Sequence, residues 1–133
     1  MSVVVPYSVS AAVAIQVTYN GQPSNTLNMP VNRSAPGIFT LDSSGHGQGA
    51  VLNQDYSING AARHAGIGSI IIIYATGAGK TTPSAPDGTF VSTPLPLVQE
   101  SVQVLIDGAQ AVLYAGMAPG QINGVLQINA RIP

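Results

Sequence analysis

Residues 77–82 read Gly77-Ala78-Gly79-Lys80-Thr81-Thr82 and follow an isoleucine-rich stretch, so phosphate binding is the first chemistry to weigh. A phosphate loop needs a glycine five residues before the glycine that precedes its lysine, so that backbone N–H groups can wrap the anion. That position is Tyr74. The loop should also open a helix whose N-terminus faces the phosphates. Pro83-Ser84-Ala85-Pro86 stands there instead. A glycine-rich exit from a strand accounts for these residues better, and no cofactor is expected.

The other reactive side chains are few and scattered. Ser43-Ser44-Gly45-His46 places a hydroxyl near an imidazole, but loop neighbours this close seldom reach triad geometry, and no Gly-x-Ser-x-Gly elbow occurs. His46 and His64 are the only histidines, and no cysteine exists, so no zinc-ligand spacing arises. The carboxylates are Asp42, Asp55, Asp87, Glu100 and Asp107. Asp87-Gly88 and Asp107-Gly108 are turn pairs first. The acids form no clustered run of the kind a calcium loop uses, and no acid/base pair is signalled. Catalytic residues and metal ligands are therefore expected to be absent. Five tyrosines lie near strand ends, at 7, 19, 56, 74 and 114. Packing is the default for each. Tyr74 and Tyr114 are the candidates for a sugar- or protein-binding face, because tyrosine offers a flat apolar ring with a polar tip.

The elements that must carry these residues are strands. Residues 12–19 alternate, with Val13, Ile15 and Val17 on the face expected to be buried. Asn20-Gly21 follows as a favoured hairpin turn, and 26–31 is the return strand, with Leu27, Met29 and Val31 on one face. Residues 3–7 also read as a strand. Residues 48–52 and 56–58 flank Asn53-Gln54-Asp55 as a second hairpin. The unbroken run at 69–74 predicts a central strand covered on both faces. Residues 76–96, rich in Gly, Pro, Ser and Thr, predict a long loop. Residues 102–106 alternate into Asp107-Gly108, and 111–114 return. Residues 125–132 alternate as Val125, Gln127, Asn129 against Leu126, Ile128, Ala130. No window carries a clean 3.6-residue apolar period. The expected fold is an all-β, immunoglobulin-like β-sandwich with essentially no long helix.

Composition narrows the function classes. Apolar residues make up 45% of the 133, enough for a core, while charged residues make up only 7% against about 25% in average domains. Polarity must come from hydroxyl, amide and backbone groups, as on many extracellular β-proteins. The four basic residues, Arg33, Arg63, Lys80 and Arg131, are dispersed, so neither nucleic acid nor an anionic membrane is an expected partner. No apolar stretch is long enough for a spanning helix, so membrane insertion is not expected. The N-terminus lacks the pattern of a signal peptide, and an export signal would lie upstream.

A family resemblance adds to this. Ala35-Pro36-Gly37-Ile38-Phe39-Thr40 is followed by 47–55, Gly-Gln-Gly-Ala-Val-Leu-Asn-Gln-Asp, by Gly68-Ser69 and the Ile run, and by Tyr74-Ala75-Thr76-Gly77. Then come 102–111, Leu113-Tyr114-Ala115-Gly116, Ala118-Pro119-Gly120-Gln121-Ile122-Asn123-Gly124 and Leu126-Gln127-Ile128-Asn129. In order and spacing, residues 35–133 resemble the uncharacterised Solibacter-type C-terminal domain of large secreted acidobacterial proteins. Residues 1–34 look like the closing strand and hairpin of an immunoglobulin-like or IPT/TIG-type domain. Members of the family usually continue past the position of Pro133 with closing strands of that same type. The resemblance therefore implies a sandwich at 35–133 completed by residues 1–34 of the same or a neighbouring chain.

The resemblance carries no activity. It implies an extracellular or cell-surface module with a non-catalytic structural or adhesion role, one that spaces, anchors or self-assembles. Its partners would be neighbouring domains or identical subunits, joined by strand complementation. The alternative is a carbohydrate or surface-ligand binding module that uses the 76–96 loop.

Overall fold

The computed structural model describes residues 3–133. It is all-β, with antiparallel ladders throughout and no helix among the described residues. The main sheet is built around β7 (Ile70–Thr76), the isoleucine run. β13 (Leu126–Arg131) pairs with one edge of β7, and β12 (Val112–Met117) pairs with β13. Beyond β12 lie β9 (Leu97–Val98) and β8 (Thr81–Thr82). The other edge of β7 takes two short strands in succession, β5 (Gly37–Ile38) and β6 (Val51–Leu52).

Register explains which residues form the core. Ala75, Ile73 and Ile71 lie opposite Leu126, Ile128 and Ala130, and these lie opposite Met117, Ala115 and Val112. Alternation puts eight of them on one face, and a register shift in β12 between Val112 and Tyr114 brings Val112 to the same side. Ala130 and Met117 are fully enclosed. The segment 91–111 covers this face, with Val91, Leu95, Val102, Val104 and Ile106 packed against it. That segment includes the small hairpin of β10 (Leu105–Ile106) and β11 (Ala109–Gln110), turned at Asp107-Gly108. Asp107 and Gly108 both take positive φ there, as a tight hairpin turn requires. Only two residues of the alternating stretch 102–106 enter a ladder, because the stretch covers a face instead of joining the sheet's edge.

The N-terminal third is arranged differently. β1 (Ala12–Ile15) pairs with β4 (Leu27–Pro30), and β2 (Thr18–Tyr19) pairs with β3 (Gln22–Pro23) across Asn20-Gly21. Asn20 and Gly21 have φ of 48° and 75°, the geometry the dipeptide predicts. No ladder joins this ribbon to the main sheet among the described residues. Val13, Ile15, Leu27 and Met29 share one face of it, and Ile15 and Leu27 are 45% and 55% exposed. The burial expected for that face does not occur, because no layer of the same chain lies over it. Residues 3–6 likewise belong to no ladder, in contrast to the strand expected there.

Candidate functional site

The Gly-rich motif is a piece of scaffold. Gly77 and Gly79 take φ of +74° and +79° as the chain leaves β7. A Cβ on Gly77 would collide with the Ala35 carbonyl oxygen, and one on Gly79 with that of Arg33. The segment entering β5 thus runs directly against both glycines, and Ala35 N–H donates to the Gly77 carbonyl. Lys80 then leads into the extended β8, not into a helix.

The remaining reactive groups are held in turns. Ser44 Oγ lies 2.8 Å from Asp42 Oδ1 and 2.9 Å from the His46 carbonyl oxygen, so its hydroxyl serves loop geometry. Hydrogen bonds from Ser44 hold the Asp42 carboxyl below its ordinary range. Ser57 does the same for Asp55. No three His, Cys, Asp or Glu side chains converge among the described residues.

Two buried asparagines organise loops, and neither stands out in the sequence, where Asn53-Gln54-Asp55 and Asn123-Gly124 both have the composition of turns. Asn53 donates from Nδ2 to Ser57 Oγ and to the Arg63 carbonyl, each at 3.0 Å, and Asn59 donates to its Oδ1. Asn123, with no exposed surface, donates from Nδ2 to the Ala85 and Pro86 carbonyls at 3.1 and 3.3 Å. The Tyr7 hydroxyl approaches Asn123 Oδ1 at 3.5 Å, and Asp87 accepts from the Tyr7 N–H. The 76–96 loop is therefore fastened to the turn at 118–124, where Val91 N–H donates to the Gln121 carbonyl and Asn123 N–H to that of Thr89.

Tyr74 and Tyr114, the two sequence candidates, come to the same face of the main sheet, opposite the core. Tyr74 on β7 lies across from Gln127 on β13, and Gln127 lies across from Gly116 on β12. Tyr114 is two residues before Gly116 and folds back over it. A Cβ on Gly116 would meet the Tyr114 hydroxyl at 2.5 Å and its ring carbon Cζ at 2.8 Å. The hydroxyl donates to the Met117 carbonyl at 3.1 Å, which fixes the ring along the strand. Burial pushes this phenol's pKa up.

Between the rings, Gln127 Nε2 donates to Asn129 Oδ1 at 3.0 Å. Leu97 pairs with Gly116 and extends the row at one end. Phe39 extends it at the other, its N–H donating to the Tyr74 carbonyl at 3.0 Å. A shallow depression of about 370 Å³ opens beside Tyr74, lined also by Phe39, Ala50, Gln121 and Val125. The 76–96 loop contributes none of these linings. It acts on the depression only by anchoring the turn that carries Gln121.

Comparison with protein-family models, curated proteins and solved structures gives no match to this chain.

Proposed function

We propose that this chain is a non-catalytic extracellular structural and adhesion module, of immunoglobulin-like β-sandwich type, that assembles with identical subunits through its N-terminal ribbon. The observation that carries this reading is the open apolar face of β1 and β4. Ile15, Leu27 and Met29 are each more than two-fifths exposed on a ribbon whose strands pair only with one another. A two-stranded ribbon is marginal in water by itself. Its unpaired edges and apolar face favour addition to another sheet. A second copy supplies a sheet with short terminal strands at β8 and β5, and its net charge of −1 opposes association only weakly.

The resemblance of 1–34 to closing strands supports the same reading, since such strands would complete a sandwich of the type that the resemblance implies at 35–133. A surface poor in charge and rich in hydroxyl and amide groups supports an extracellular setting. The engagement of Ser44, Asp42 and Asp55 in loop turns supports a role without catalysis. No helix of the described residues is long and apolar enough to cross a membrane.

The test is the solution mass of the full chain by light scattering over a range of concentrations. A mass of two or more chains is expected, falling to one chain when Ile15→Lys and Leu27→Lys are combined. A single-chain mass at every concentration overturns the reading.

A further inference from the structure

We propose that the sheet face carrying Tyr74 and Tyr114 is a binding site for an extended, neutral, β-linked oligosaccharide. This goes beyond the assembly role and rests on different residues.

The site is a row across four strands and the residue that follows β5: Leu97, the Tyr114 ring over Gly116, Gln127, Tyr74 and Phe39. Strand spacing sets the distances. Gly116 and Tyr74 are separated by β13, so the backbone positions that carry the two rings stand about 10 Å apart. That separation suits two sugar rings of one extended chain. A bent or branched glycan would leave the row.

The chemistry of the row selects the ligand class. Pyranose rings with equatorial hydroxyls present a face of C–H groups, which stacks on aromatic rings, and a rim of hydroxyls, which needs amide partners. Both kinds of partner are present, with the Gln127 amide between the two tyrosines. The bond to the Met117 carbonyl fixes the long axis of the Tyr114 ring, and its close approach to Gly116 lays it down on the strand, so the ring is preorganised as a platform. Gly116 is the residue that permits this, since any side chain would occupy the ring's place. Gln127 and Asn129 stand between the tyrosines, already oriented by their mutual bond, with donor and acceptor capacity to spare. The row is accessible at both ends, where Phe39 is 40% and Leu97 48% exposed.

No side chain in the row is charged. Arg131, further along β13 on the same face, directs Nη1 to the Gly68 carbonyl at 3.2 Å. The site therefore offers nothing to balance an anionic sugar, whose carboxylates would lose water without gaining a partner.

The experiment titrates cellotetraose, xylotetraose and oligogalacturonate into the isotope-labelled full chain and follows amide shifts by NMR. Shifts with a neutral tetrasaccharide are expected along β7, β12 and β13, centred on Tyr74, Gln127 and Gly116, and none with oligogalacturonate. Tyr74→Ala should weaken binding roughly tenfold. Gln127→Leu keeps the side-chain bulk and should weaken binding roughly fivefold. The same spectra report whether each variant is folded, and Gln127→Leu serves if Tyr74→Ala is not. Absence of shifts with both neutral probes overturns the proposal. So does equal binding of oligogalacturonate, or unchanged affinity in the folded variants. Shifts confined to β1 and β4 overturn it as well, and they would not bear on assembly, which is read by mass.

Discussion

Asn123 joins three separate stretches of chain: the 83–91 loop through its Nδ2, the N-terminal segment through Tyr7, and the turn into β13 through its own backbone. Asn123→Ala leaves the Ala85 and Pro86 carbonyls without their side-chain donor, and should cost about 2 kcal/mol in chemical denaturation. Tyr7 gives a pH signature of the same junction. Burial raises its pKa first, and the Asp87 carboxylate raises it further. A raised folded-state pKa means that its contribution is whole below the ordinary tyrosine value of about 10 and is lost as pH rises through the folded value. Alkaline melting curves should show this loss, and Tyr7→Phe should reduce it, leaving the part due to Tyr114. At the acid end the sign reverses. Asp42 and Asp55 have lowered pKa values, so their turns are held above the ordinary carboxyl range and loosen as pH falls through the folded values. Ser44→Ala should raise the Asp42 titration by NMR only part of the way, because the residue 44 N–H and Thr40 still hold the carboxylate. Ser57→Ala should raise that of Asp55 by removing its largest support, while the residue 57 N–H remains.

At the scale of elements, stability is concentrated in β7, β13 and β12. Ile73 is 7% exposed and faces Ile128 across the ladder, so Ile73→Ala should cost about 3 kcal/mol through lost burial and the cavity left behind. Gly77→Ala should cost about 2 kcal/mol or more in the same assay, because its left-handed φ and the Ala35 carbonyl both exclude a Cβ. Local patterns made several elements legible. The isoleucine run becomes an interior strand, second from the sheet's edge, Asn20-Gly21 and Asp107-Gly108 become hairpin turns, and the parity of 125–132 separates the two faces as the structure has them. The Tyr74–Gln127–Gly116 row was only half legible. Alternation marks Gln127 as facing away from Leu126, but the alignment of β7, β13 and β12 depends on long-range register, which no single strand encodes. Gly116 carries no local signal in the sequence, and its role under a ring is visible only once Tyr114 is in place. Asn53 and Asn123 were hidden for the same reason, since a turn asparagine and a buried anchoring asparagine share one residue type. The burial of Val13, Ile15 and Val17 was read from alternation, which reports an amphipathic strand but not whether a covering layer belongs to the same chain.

For the whole molecule, the contrast between the two parts is the central fact. Residues 35–133 enclose a core of isoleucine, leucine and methionine under the 91–111 segment, whereas the ribbon of β1 and β4 keeps its apolar face open. The two are tied through Tyr7 on one side and through the Arg33–Ala35 approach to Gly77 and Gly79 on the other. A ribbon anchored at both ends is held clear of its own sheet yet presented for another. Amide hydrogen exchange of the ribbon, measured as a function of protein concentration, tests that account most directly. The account predicts slow exchange in β7, β13 and β12 at every concentration, and protection of residues 12–15 and 27–30 that grows as the protein is concentrated. Ribbon amides whose exchange is independent of concentration would contradict it.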